Sequence, residues 1–169
     1  MTHSDMVPEG SNVVDYWSAK VTEQYCLHQL FEHRVAEHPD LPAVTCNGKT
    51  LSYSHLNGLA NQVARRILQH PVTPDFLVAV SIERSLEMMV ALLGVMKAGC
   101  AYVPLDPDYP QERIDYMLQD SGASLVICQS HLQDGLAADG RTLLVVDLND
   151  KMALTCPQMS NGETDNIAA

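Results

Sequence analysis

The sequence predicts an α/β layer fold with parallel strands joined by crossover helices. Three observations carry this. Short, valine-rich apolar runs recur at residues 76–82, 101–105, 125–128 and 142–147. The segments between the early runs have helical rather than alternating periodicity. The runs are apolar on both faces, as strands covered from both sides must be. Alternation of this kind implies strands connected by right-handed crossovers.

The elements follow in order. Residues 1–24 mix polar side chains with Pro8 and Gly10 and have no period, so a loosely ordered leader is expected. Leu27, Leu30, Phe31 and Val35 follow helical spacing, and His38–Pro39 ends that helix because a residue before proline avoids the helical region. Residues 43–46 and 50–53 flank Asn47–Gly48, the turn dipeptide of a two-residue hairpin. A second helix is expected from Ser54, whose hydroxyl can cap free N–H groups. Its stripe is Leu56, Leu59, Ala60, Val63, Ala64, Ile67 and Leu68.

Residues 76–82 read as a buried strand. Ser85 then caps a helix reaching about Lys97, apolar almost all round and therefore expected to be covered on both faces. Met88, Met89 and Met96 read as core filling. Gly99 ends the helix. Residues 101–105 read as a second buried strand, and Pro104, Pro107 and Pro110 stiffen the loop after it. A helix over 111–118, stopped by Gly122, and the strands 125–128 and 142–147 complete the alternation. From Asn149 to Ala169 the residues are small, polar and aperiodic, so a flexible tail is expected.

Composition narrows the function. The chain has 169 residues, one ordinary domain's worth. Acidic residues outnumber basic ones 21 to 10, for a net charge of −11. That argues against nucleic acid and against an anionic membrane surface, both of which call for clustered Lys and Arg. Arg65–Arg66, the only adjacent basic pair, reads as a solvated helix face. The five cysteines are widely spaced with no C-x-x-C pair, and no secretion signal opens the chain. Reduced thiols in the cytoplasm are expected. The longest apolar run, 88–96, is far shorter than the roughly 20 residues a membrane span needs.

The common chemical motifs are absent. There is no phosphate-binding G-x-x-x-x-G-K-[ST] loop, no G-x-G-x-x-G and no G-x-S-x-G. His28, His33 and His38 are five apart and do not share a helix face. Cys100 and Cys128 lie in apolar sequence and read as buried structural thiols. Asp106 and Asp108 read as turn-stabilising carboxylates.

One longer pattern is far more specific. The segment ERSLEMMVALLGVMKAGCAYVPLDPDYPQERIDYMLQ, residues 83–119, resembles the second core motif of amino-acid adenylation domains of nonribosomal peptide synthetases. LSYSHLNGLANQVARRI resembles the first core motif, with Leu51, Tyr53, Leu56, Asn57 and Ala60 in register. His55 stands where that family usually has Glu, and Cys100 where it usually has a small residue. DNIAA, residues 165–169, resembles the lead-in to the third core motif, the phosphate-binding loop.

The resemblance implies the first subdomain of the large N-terminal adenylation domain, a partial layered fold over residues 25–148. It implies that the phosphate loop, the amino-acid pocket and the catalytic lysine lie downstream of Ala169. No catalytic, cofactor-binding or metal residue is therefore assigned. The residues it marks are structural: Leu51, Tyr53, Leu56, Lys97, Gly99, Tyr102, Pro104, Asp106, Tyr109 and Pro110, with the last several shaping a loop near the subdomain junction. ATP and Mg are implied for the complete enzyme. The implied partners are a complementary C-terminal adenylation polypeptide or synthetase module, and a carrier protein. Nothing before residue 26 resembles a condensation domain, so a free-standing or initiating module is expected. Two other readings stay open: a non-catalytic interaction or regulatory module, and a remnant without activity.

Overall fold

The structure is a computed structural model, described over residues 26–73, 75–136, 140–149 and 154–155. The expected leader, most of the expected tail and the DNIAA segment lie outside these residues. Helix α1 spans Leu27–Glu37. Strands β1 (Pro42–Cys46) and β2 (Lys49–Ser52) form an antiparallel hairpin. Asn47 and Gly48 have φ of 50° and 75°, the two left-handed conformations that such a two-residue turn demands.

Helix α2 runs Tyr53–Ile67. Its cap is Ser52, not Ser54: the Ser52 hydroxyl accepts from the His55 N–H at 3.3 Å. The N–H groups of Tyr53 and Ser54 donate to the carbonyls of Leu41 and Pro39, so the chain entering the hairpin completes the helix's first turn. Six residues of the expected stripe are buried, from Leu56 to Ile67. Leu68 is 55% exposed, because the helix ends at Ile67 and Leu68 turns away from the stripe.

The main sheet comprises β3 (Leu77–Ser81), β4 (Ala101–Pro104), β5 (Leu125–Cys128) and β6 (Thr142–Val145). All its pairings are parallel and the order is β4-β3-β5-β6. Helix α3 (Leu86–Lys97) links β3 to β4, and α4 (Gln111–Ser121) links β4 to β5. A 3-10 helix over Ser130–Gly135, rather than an α-helix, leads from β5 towards β6.

Two cores sandwich this sheet. On one face Val78, Val80, Leu125 and Ile127 pack with α2 and α3. On the other, Ala79, Val126 and Cys128 pack with Ile114 and Leu118 of α4. The alternation along each strand sends successive side chains to opposite cores. β3 and β5 are central and buried almost throughout.

Three expectations need correction. β4 is not a buried strand but the sheet's edge, with Tyr102 43% exposed. Pro104 is tolerated there because an edge strand need not donate on its free side. α3 is not covered all round: Met89 is 39% exposed and Met88, Leu92 and Met96 are half-buried. The run 142–147 breaks at Val146, after which Asp147–Leu148 (β7) pairs antiparallel with Leu154–Thr155 (β8). Those last two residues fall inside the segment expected to be a flexible tail, most of which lies outside the described residues. Among the described residues no helix is long and apolar enough to cross a membrane.

Candidate functional site

A cleft of about 820 Å³ opens at the carboxyl ends of β3 and β4. Two loops shape it. The first, residues 82–85, leaves the central strand and enters α3, where the Ser85 hydroxyl caps the helix by accepting from the Met88 N–H at 3.4 Å. The second, residues 105–110, leaves the edge strand and enters α4. Carboxyl ends are where open parallel sheets place ligands, since the loops there are free to diverge.

Diverging connections matter here. β3 connects to β4 on one side and β5 connects towards β6 on the other, so the loops part between β3 and β5. That crevice is closed by polar contacts: the Glu83 N–H donates to Gln129 Oε1 at 3.0 Å, and Glu83 Oε1 lies 3.2 Å from His131 Nε2. Gln129 is a buried polar residue satisfied in this way. The open volume lies one strand over, between β3 and the edge.

Its floor is Val80 and Ile82, and its wall is Met88 and Leu92 of α3 facing Tyr102 and Pro104. Pairing of Val78 with Tyr102 and Val80 with Pro104 puts these side chains on the α3 side of the sheet. The rim holds Glu83, Arg84, Asp106 and Asp108. Asp106 Oδ1 accepts from the Asp108 N–H at 3.0 Å, and its carbonyl accepts from the Tyr109 N–H at 3.1 Å. This carboxylate folds its own loop, as expected from the sequence. The guanidinium of Arg113 sits 3.9 Å from the centre of the Tyr109 ring and steadies it from α4.

The ten motif residues separate into three groups. Tyr102, Pro104, Asp106 and Tyr109 come together around the cleft, and Pro110 stands at the N-cap of α4 just beyond it. Leu51 and Leu56 are core residues, far from solvent. Tyr53 packs its ring on Phe31 of α1 at 5.8 Å, Lys97 meets Glu32 of α1, and Gly99 takes a left-handed φ of 73° between α3 and β4. Sequence reasoning missed Glu83, Arg84 and Gln129. The available signal was the charged pair Glu83–Arg84 wedged between an apolar strand and a helix cap.

The described cleft offers apolar surface and carboxylates but no activated nucleophile. The thiol of Cys100 is raised by burial, and that of Cys128 is pushed up to about 11 by burial and by the charge of Asp147. Neither is a thiolate near neutrality. Among the described residues no group of three His, Cys, Asp or Glu could hold a metal ion. Three acids against one arginine on the rim do not suit a triphosphate, so neither ATP nor Mg is assigned to these residues.

A doubly covered parallel four-stranded sheet with a cleft at its carboxyl edge defines an α/β layer fold. The chain belongs to the AMP-binding enzyme family, whose model matches residues 31–166. Its relatives are nonribosomal peptide synthetases. It is 47% identical over 147 residues to a linear gramicidin synthase of Brevibacillus parabrevis, covering 87% of this chain and 2% of that protein. It is 44% identical to surfactin synthase subunit 2 of Bacillus subtilis, covering 84% of this chain and 4% of that protein. The solved synthetase FmoA3 in its α-methyl-L-serine-AMP-bound form is 33% identical, with a TM-score of 0.68 over 72% of this chain and 14% of that one. The Klebsiella oxytoca NpsA N-terminal subdomain, 23% identical with a TM-score of 0.63, covers 70% of this chain and 30% of its own and shares the fold. The chain thus spans a small part of the length of the curated relatives it matches.

Proposed function

We propose that this chain supplies the first layer of an amino-acid-activating domain of nonribosomal peptide biosynthesis, one that joins an amino acid to ATP as an aminoacyl adenylate. The observation that carries this is co-linear identity of 43–47% with three synthetases over 84–87% of the chain. FmoA3, whose structures carry α-methyl-L-serine-AMP or AMPPNP, supports the same chemistry at 30–33% identity. In this reading the described residues hold the layer on which the site is built. A complementary adenylation polypeptide or synthetase module supplies the phosphate loop, the pocket, ATP and Mg, and a carrier protein takes the product, all in the cytoplasm.

The test is co-expression with a polypeptide carrying the downstream adenylation sequence, followed by amino-acid-dependent ATP–pyrophosphate exchange on the co-eluting peak. A 1:1 complex with exchange activity supports the reading. Co-elution without exchange favours a second one, a non-catalytic interaction module, to which the free edge of β4 and the half-exposed methionines of α3 also point. Separate elution with no activity sinks both.

A further inference from the structure

Helix α1 is fastened differently from its neighbours. None of its eleven residues is buried, whereas α2 and α3 each bury a full apolar stripe. Leu27, at its start, is 65% exposed, and Leu30, Phe31 and Val35 are only half-buried. The contacts that fasten α1 to α2 and α3 include the Phe31 ring on Tyr53, with Phe31 also against the core, and the Glu32 carboxylate on the Lys97 ammonium. The second contact is lopsided. The Lys97 side chain is 5% exposed while that of Glu32 is 48% exposed. A nearly buried ammonium on a core helix takes its counter-charge from a helix none of whose residues is fully buried.

The energetics of that arrangement are unusual. With α1 in place, the amine of Lys97 is shielded from water and depends on Glu32 for its counter-charge. If α1 lifts, the ammonium regains water, which offsets much of the lost ion pair. The apolar side chains that α1 would re-expose, Leu30, Phe31 and Val35, are only half-buried to begin with. Segments with few buried apolar contacts open at a small fraction of the global unfolding free energy.

We propose that α1 is a releasable strap, lifting from α2 and α3 while the sheet stays folded, with Glu32–Lys97 as its clasp. Lifting presents a new cation at the end of α3, two residues before the Gly99 turn that feeds the edge strand. The strap works whether or not the chain activates amino acids.

Hydrogen–deuterium exchange on the full 169-residue chain tests this, read alongside acetylation of Lys97 by an N-hydroxysuccinimide ester. The α1 amides should exchange well ahead of those in α2 and α3. Glu32→Gln should speed α1 exchange and Lys97 acetylation together by about tenfold, leaving α2 and α3 unchanged. Three results would overturn the strap: α1 exchanging in one unit with α3, Glu32→Gln changing neither readout, or Glu32→Gln accelerating all three helices alike. Because Glu32 is largely exposed, the variant should fold, and unchanged α2 and α3 exchange serves as the check.

Discussion

Gly94 of α3 lies directly against Val63 of α2: a β-carbon placed on it would stand 2.6 Å from Val63 Cγ1 and 3.2 Å from the Ala60 carbonyl oxygen. The two helices meet here at backbone distance, and this contact joins the stripe of α2 to the α3 layer that covers the sheet. Helix propensity alone would favour alanine over glycine by about 1 kcal/mol. The close approach outweighs it.

Gly94→Ala is therefore expected to destabilise the fold by about 1–3 kcal/mol, the usual cost of overpacking a filled core. Urea unfolding followed by circular dichroism measures it. In a Val63→Gly background both obstructing carbons, Val63 Cγ1 at 2.6 Å and Cβ at 2.7 Å, are gone and only the Ala60 carbonyl at 3.2 Å remains, so the same substitution should cost less. Equal costs in both backgrounds would mean that the Gly94–Val63 contact is not what selects glycine.

The two helix caps give a cleaner pair of tests. Ser52→Ala removes the acceptor for the His55 N–H and Ser85→Ala the acceptor for the Met88 N–H. Each is expected to lower stability by about 1 kcal/mol. Ser54→Ala should be within about 0.5 kcal/mol of wild type, since Ser54 bonds only the Ser52 hydroxyl among the described side-chain contacts. A larger loss at Ser54 than at Ser52 would reassign the cap.

Edge and centre of the sheet should respond differently. Ile127 of β5 is fully buried, so Ile127→Ala is expected to cost about 2–5 kcal/mol. Tyr102→Lys on β4 should change stability by under about 1 kcal/mol, because edge strands accept charge and its side chain already reaches water. Thermal unfolding of the two variants side by side decides it. Similar losses would place β4 inside the sheet.

Cys128 sets a pH dependence. Its thiol is pushed up to about 11 by burial and by Asp147, from an ordinary value near 8.5. The folded state thus holds the proton that the unfolded chain releases first. Its contribution is fully present below about pH 8.5 and is lost as pH rises towards 11. The difference in unfolding midpoint between wild type and Cys128→Ala should be flat from pH 6 to 8 and narrow above that. A difference that stays constant up to pH 11 would show that the thiol titrates alike in both states.

Much of this molecule is set by short-range sequence. Asn47–Gly48 fixes the hairpin because both residues tolerate positive φ. The stripe from Leu56 to Ile67 fixes α2, since 3.6-residue spacing puts those side chains on one face. Gly99 and Gly122 end α3 and α4 in left-handed conformations. The long co-linear pattern of residues 83–119 carries the family, because so many positions in register do not arise from composition alone.

Tertiary structure decided the rest. Residues 101–104 and 125–128 are both short apolar runs, yet one is the edge and the other the centre. Strand order depends on which way each crossover turns, which no local period records. Ser52 rather than Ser54 became the cap because the carbonyls of Pro39 and Leu41 take the first N–H groups of α2. Met88 and Leu92 are only half-buried although their helix is apolar nearly all round, because coverage depends on what lies opposite, and beside β4 the described residues leave a cleft. Periodicity determines which face a residue takes; only the packing of distant segments determines whether anything meets that face.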